Sequence, residues 1–364
     1  MRRHQPYYPA MDWLRLACAV AVLLFHFGWT SAGGGEVALL VGPGIAVPGR
    51  DWLWRHGSVG VPIFFVISGF VIAGSAADGG PMRFLRRRIE RLYPAIFVCA
   101  PLSALLWWGA GRPPGEGLIL LAKSILLVPV GRWVDPPYWT LGVEIGFYAY
   151  VFLLLVAGGA RWLRPGAVAL ALASSALWAF FLLRGEAVSP PLWLLPLYWG
   201  MHFALGALLH FLRDGSLRFR GAACAVAAGA AGVVQTMQLL TPELAGPVPT
   251  VLWLVGVAVV GLAPGRASSR DRPISRLAGL ATYPLYLLHF GLGLALMASL
   301  VRLGLAPLAA MAVAGGVLLA MAVIVAAFAE PAVRSGLRKG LDSIERGWRG
   351  RRFGLIGEGG RPLR

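Results

Sequence analysis

The chain has 364 residues, of which 58% are hydrophobic and only 13% charged, and its mean hydropathy is +0.70. A soluble domain carries roughly 25% charged residues, so these values exclude an ordinary soluble protein and point to an all-α, polytopic membrane protein. The net charge of +17 would suggest a nucleic-acid partner in a soluble chain; here the basic residues fall between apolar runs, where they set topology and meet anionic lipids, and no nucleic-acid partner is expected.

The first apolar segment, 11–29, follows Arg2 and Arg3 and has the polarity of a signal peptide. It carries Asp12 and Arg15 inside it and has no small-x-small cleavage site, so it reads as a retained first span. Arg15 and His26 are eleven residues apart, which on a helix is three turns plus roughly 20°, so both share one face. Asp12 sits three residues before Arg15 and can pair with it. The rise from Arg15 to His26 is about 16 Å, roughly half the hydrocarbon thickness. Ionisable groups inside spans are costly and mark functional sites; the alternative is a snorkelling arginine and a structural histidine.

The second span, 58–77, contains Phe64-Phe-Val-Ile-Ser68-Gly-Phe70, where Ser68-Gly69 allows close helix packing. The third, 93–110, is preceded by a dense cluster that includes Arg86, Arg87, Arg88 and Arg91. Arginine's planar fork suits phosphate and pyrophosphate, although a topological anchor has the same composition. The segment 117–130 is apolar but too short to span and reads as re-entrant or interfacial. In the fourth span, 138–157, Glu144 shares a face with Thr140 and Tyr148, and Trp139 stands at the membrane interface. A carboxylate at that depth needs an arginine or histidine partner, or a proton.

Further spans are expected at 166–183, 191–212, 221–240, 248–263, 277–301 and 306–328, ten in all. His202 and His210 of the sixth read as structural. In the ninth, Tyr286 and His289 are at i,i+3, with a site role and a packing role both open. Assigning the N-terminus to the cytoplasm places 25 basic residues inside and 7 outside, with Arg15 in a span; the positive-inside rule thus gives N-in and C-in. Residues 1–331 form one transmembrane domain and 332–364 a basic cytoplasmic tail, whose Leu337, Leu341, Ile344 and Trp348 have the spacing of an amphipathic helix on the inner leaflet. Cys18, Cys99 and Cys224 lie in separate apolar runs, and neither CxxC nor HExxH occurs, so no disulfide framework, metal or bound cofactor is expected.

Four segments together resemble the membrane acyltransferase-3 family, the O-acyltransferases of bacterial surface polysaccharides and related substrates. Arg15-x10-His26 is similar to the family's R-x10-H, and Phe64-Phe-x-x-Ser68-Gly69 to its FFxxSG. Arg87-Arg88-x-x-Arg91-Leu-x-Pro94 resembles RRxxRIxP with leucine for isoleucine, and Trp139-Thr-Leu-x-x-Glu144-x-x-Phe-Tyr148 resembles W[ST]LxxExxFY. Weaker matches are Tyr283-Pro-x-Tyr286-Leu-x-His289 and Glu330-Pro331. The resemblance implies a multi-pass protein of the bacterial inner membrane with acyl-CoA, usually acetyl-CoA, as donor substrate and a hydroxyl of a carbohydrate or glycolipid as acceptor. It assigns His26 to acyl transfer and Arg15, Arg88 and Arg91 to the donor, with Arg87 beside them. On this reading Glu144 orients the histidine or holds Arg15, and Asp12, Ser68, Trp139, Tyr148, Tyr286 and His289 support the site. Some relatives carry a fused esterase-like domain; none is expected in this chain, which leaves room for a separate periplasmic transfer partner. The rival reading is a proton-coupled transporter that uses the same buried Arg15, Glu144 and His289.

Overall fold

A computed structural model describes residues 7–129, 131–184, 195–217, 219–237, 244–265 and 272–357. Among these the chain is helical, with no strand. In order the helices are α1 (Pro9–Gly28), α2 (Ala38–Val41), α3 (Gly60–Ala76), α4 (Gly80–Gly109), α5 (Pro114–Ile125), α6 (Trp139–Gly158), α7 (Leu163–Arg184) and α8 (Leu195–Tyr198). There follow α9 (Gly200–Arg213), α10 (Phe219–Met237), α11 (Pro247–Leu262), α12 (Arg272–Leu288), α13 (Gly291–Arg302), α14 (Pro307–Ile324) and α15 (Glu330–Gly357).

Among the described residues, five helical runs are long and apolar enough to cross a membrane: Pro9–Ala32, Trp54–Ala76, Gly80–Gly109, Pro136–Arg184 and Pro307–Ser343. The last but one contains both α6 and α7, separated by a tight turn at Gly159–Trp162. A sixth span arises if α12 and α13, bent by 72° at a short break, are counted together. The ten spans predicted from hydropathy are therefore not all found as straight, full-length helices. The span expected at 191–212 is divided at Trp199, leaving α9 with 14 residues, and α11 has 16. The start of that expected span and the end of the one at 221–240 lie outside the described residues, as do Arg2, Arg3, Arg218, Arg266 and Arg270 and the side chains of Ile344 and Trp348. The segment read as re-entrant is α5, 12 residues long, with Leu118 and Ile119 on its open side.

Small residues let the central helices touch. A Cβ at Gly69 would strike the carbonyl of Phe203, and one at Gly206 the carbonyl of Val66, so α3 and α9 pack backbone to backbone as the Ser68-Gly69 pair predicts. Phe65 and Phe147 then stack on Phe203 from either side, with ring centroids 4.6 Å and 4.3 Å away. The arginine cluster and the third span are one 30-residue helix, α4, which continues through Pro94 and Pro101. A helix of that length reaches about 45 Å, so it carries the cluster beyond the apolar layer without a break.

The bend between α12 and α13 falls at His289-Phe290. A broken helix in an apolar setting exposes backbone N–H groups that must find acceptors. Asp135, fully buried, supplies one: its Oδ2 accepts the N–H of Gly291 at 3.2 Å and the hydroxyl of Ser103 at 3.3 Å. A Cβ at residue 291 would lie 3.0 Å from that oxygen and 3.1 Å from Trp107 Nε1, so glycine is what fits. Arg112 closes the same end of the bundle, donating to the Val134 carbonyl at 2.8 Å and to Glu36 at 3.1 Å, with its guanidinium 4.2 Å from the Trp107 ring. Asp135→Ala should lower the thermal stability of the purified protein by about 1–3 kcal/mol, the cost of an orphaned buried donor. Asp135→Asn, which keeps an acceptor, should lose less; equal losses in an unfolding scan would show that the hydrogen bond to α13 contributes nothing.

Candidate functional site

One end of the bundle encloses a cavity of about 670 Å³ lined by five of the longer helices and by α15. Helix α1 contributes Asp12 and Arg15, α3 contributes Phe64 and Ser68, and α4 contributes Arg87, Arg88, Glu90 and Arg91. Thr140, Glu144 and Tyr148 enter from α6, and Arg276, Tyr283 and Tyr286 from α12. Arg334 and Arg338 of α15 complete the wall. Seven arginines thus face three carboxylates, an excess of four formal positive charges.

The charges are not loose. Arg15 Nη1 donates to Asp12 Oδ1 at 2.9 Å, with only 23% of the arginine side chain and 13% of the aspartate exposed. Asp12 Oδ2 accepts the Tyr7 hydroxyl at 2.8 Å, and that hydroxyl lies 2.7 Å from Ser275 Oγ. Arg15 is therefore held in the wall and does not snorkel freely. Glu144 differs from its expected pairing: Oε1 accepts hydroxyls from Ser68 at 3.0 Å and from Tyr148, and no ion pair to it is found among the described residues. One turn of α6 sets Tyr148 above Glu144, and Ser68 is brought across by the close packing of α3. Hydroxyl donors satisfy the carboxylate without neutralising nearby arginines.

Arg88 and Arg91 lie against aromatic faces. The Arg88 guanidinium is 5.5 Å from the Phe84 ring and 5.6 Å from that of Tyr148, and Arg91 is 5.6 Å from Tyr283. Arg88 Nε and Arg91 Nη1 are buried and have no hydrogen-bond partner among the described residues. Buried donors of this kind are rare in finished structures. Arg87 instead donates to the Ser75 carbonyl at 3.1 Å. At the rim Glu90 accepts from Arg86 and from Arg338, each at 2.9 Å.

His26 is not part of the cavity lining. It sits near the other end of α1, with Nδ1 3.0 Å from Thr30 Oγ1 and its ring 5.1 Å from His289 and 4.8 Å from Phe290. His289, at the break after α12, donates Nδ1–H to the Tyr286 carbonyl at 2.7 Å. A carbonyl only accepts, so this contact puts the proton on Nδ1 and leaves Nε2 with its lone pair; Nε2 is buried and without a partner among the described residues. The Tyr286 ring is 5.3 Å from His289 and also lines the cavity, where its hydroxyl meets Thr140 Oγ1 at 3.0 Å. A continuous row of rings, Tyr286–His289–His26, therefore joins the cavity to the far histidine.

The structure brings Asp12, Arg15, Ser68, Arg87, Arg88, Arg91, Glu144, Tyr148 and Tyr286 together around one space. His26 and His289 stand behind it. Trp139 is outside it, half-buried against Trp199 at 5.6 Å. Glu144 is not hydrogen-bonded to a histidine, so its expected role in orienting His26 is not seen. His202 is buried against Gln235, as its structural reading predicts. Among the described residues no cluster of His, Cys, Asp and Glu could hold a metal. Sequence reasoning missed Arg276, Arg334 and Arg338 as lining residues. The spacing Glu330-x-x-x-Arg334-x-x-x-Arg338 puts these three residues on one helical stripe, which is the signal for them in the sequence.

An apolar helical bundle around an arginine-lined cavity, with paired histidines behind it, defines a membrane protein with a cationic site. A family profile described as an acyltransferase domain, of the acyltransferase-3 type, matches residues 8–329. The chain belongs to this family and is an acyltransferase. It is similar to BcsY of Komagataeibacter xylinus, named as a membrane-bound transacylase, with 28% identity over 312 residues, 77% of this chain and 71% of that protein. It is also similar to the acyltransferase MdmB of Streptomyces mycarofaciens, 30% identical over 263 residues, 64% of this chain and 67% of that one. A shorter likeness, 30% over 142 residues, is to nodulation protein 10 of Rhizobium leguminosarum bv. viciae, covering 33% of this chain and 38% of that protein. No solved structure matches the chain.

Asp12→Ala should leave the Arg15 guanidinium without its carboxylate. A charge-assisted hydrogen bond is worth about 1.5–3 kcal/mol, so the variant should melt at lower temperature and transfer acyl groups more slowly. An unchanged melting curve would mean that Arg15 finds an equivalent partner elsewhere.

Proposed function

We propose that the protein moves an acyl group, acetyl in the simplest case, from acyl-CoA to a hydroxyl of a carbohydrate such as a cell-surface polysaccharide or its lipid-linked precursor. The observation that carries this reading is the cavity's excess of four positive charges together with the unpartnered buried donors of Arg88 and Arg91. Coenzyme A bears a diphosphate and a ribose phosphate, about four negative charges near neutral pH, because the second ionisation of a phosphate monoester lies near pH 6. Arginine forks bind such groups bidentately. With both termini on the cytoplasmic side of a bacterial inner membrane, the orientation that the distribution of basic residues favours, the arginine-rich end opens to the cytoplasm, where acyl-CoA is made.

In this scheme the diphosphate rests on Arg87, Arg88 and Arg91 and the pantetheine arm extends past Glu144 toward Thr140 and Tyr286. The thioester is delivered to the histidine pair once the Tyr286 ring gives way. The acceptor hydroxyl oxygen attacks the thioester carbonyl carbon and the carbon–sulfur bond breaks. The hydroxyl proton passes to His26, which gives it to the departing thiolate, so that coenzyme A leaves as free thiol and His26 returns to its neutral form. His26 can alternatively take the acyl group itself and release it to the hydroxyl in a second step. His289, with Nδ1–H held by Tyr286, positions its ring against His26. Asp12, Ser68 and Tyr148 hold the charged groups in place, and anionic lipids and a separate periplasmic transfer partner complete the surroundings.

Arg88→Ala with Arg91→Ala should weaken binding of radiolabelled acetyl-CoA to the purified protein by at least about tenfold, the loss of one charge-assisted contact; unchanged binding would remove the donor from this cavity. His26→Ala should bind acetyl-CoA as the parent does, while transfer to an acceptor hydroxyl falls by about 10²–10⁴-fold, the contribution of a positioned acid–base group. A folded His26→Ala protein with full transfer activity would sink the mechanism.

A further inference from the structure

Helix α15 leaves α14 through a π-helical turn at Val325–Ala329, a local widening that recurs at functional sites. It does not trail from the bundle. Arg86 of α4 reaches Asp342 at 2.6 Å, Arg338 Nε donates to Glu90 Oε2 at 2.9 Å, and Arg334 Nε donates to the Glu90 carbonyl at 3.2 Å. Arg334 is also tied to the buried Glu330 at 2.9 Å. Both Arg334 and Arg338 line the cavity.

The arginines form an ordered series from the interior outward. Arg88 and Arg91 lie against Tyr148 and Tyr283 and have buried, unpartnered nitrogens. Arg338, 56% exposed, stands at the mouth, and Arg334, 25% exposed, lies one helical turn before it on the same stripe of α15. Coenzyme A has the same order when its thioester enters first: the pantetheine arm, then the diphosphate, then the ribose 3′-phosphate outermost. The inner arginines match the diphosphate and the mouth pair matches the terminal phosphate.

Resting on the reading of acyl-CoA as donor, we propose that Arg334 and Arg338 of α15 bind the 3′-phosphate of the donor, so that the basic C-terminal helix is part of the substrate site. Glu90 holds Arg338 in the absence of donor, and the phosphate takes its place when the donor enters. The recognised chemistry is a phosphate monoester; an anionic lipid headgroup offers a related phosphate, and the test separates the two.

The full-length protein is placed in phosphatidylcholine nanodiscs, and binding of coenzyme A and of 3′-dephospho-coenzyme A is measured for the parent, Arg338→Gln and the double variant Arg334→Gln/Arg338→Gln. The parent is expected to prefer coenzyme A by about tenfold, one charge-assisted contact. Both variants should lose that preference while retaining the parent's affinity for the dephospho form. Because Arg334 also pairs with Glu330, the single variant at the more exposed Arg338 guards against a folding defect in the double one. Variants that keep the preference overturn the proposal, as do variants that lose both ligands equally. Undiminished preference with weakened association to phosphatidylglycerol-containing nanodiscs would assign the pair to lipid instead. A parent that binds neither nucleotide would overturn the donor reading itself, an outcome distinct from a failure of the tail assignment.

Discussion

Keeping charge inside an apolar bundle is the constraint on which the rest of this structure depends. An arginine at the centre of a spanning helix costs at least about 2.5–3.5 kcal/mol, and seven line one cavity here. Three arrangements make that tolerable. Arg15 is paired with Asp12 within one turn of α1. Glu90 collects Arg86 and Arg338 at the rim. Arg88 and Arg91 use aromatic faces for part of their surface and keep donors in reserve. The result is a pre-formed cationic space whose lining carries an excess of four formal positive charges.

The same constraint explains how the two ends of the site are separated. Tyr286 belongs to the cavity by its hydroxyl and to the histidine pair by its carbonyl. The break after α12 turns the chain by 72° and leaves His289 facing His26. That break survives in an apolar setting because Asp135 reaches from before α6 to satisfy the N–H of Gly291, with Ser103 and Arg112 near it. The arginine-lined cavity and the histidine pair are thereby built from one set of helices. The ring of Tyr286 lies at the junction between them.

The family match ends at residue 329, just before α15 begins. Residues beyond Glu330-Pro331 have the composition of a topological anchor, yet as a helix they return to α4 through ion pairs. Arg334 and Arg338 both dock α15 on Glu90 and line the cavity.

Much of the site was legible in the sequence because it is local. Asp12 with Arg15, Glu144 with Tyr148 and Arg87 with Arg91 are spaced by helical turns, so their shared faces follow from 3.6 residues per turn. The apolar runs determined that the chain is helical and membrane-embedded, since only helices and closed barrels satisfy backbone groups in lipid. What hydropathy could not show is where a run bends: 277–301 is uniformly apolar, and the break at His289-Phe290 depends on Asp135, more than 150 residues away in the chain. Nor could it show that Ser68 serves Glu144, or that Arg334 and Arg338 join the cavity, because both arise from helices packed across the bundle. The sequence by itself determined the residue types and their faces; the tertiary structure alone decided their partners, because hydrogen bonds and ion pairs between helices depend on distances that no one-dimensional period encodes.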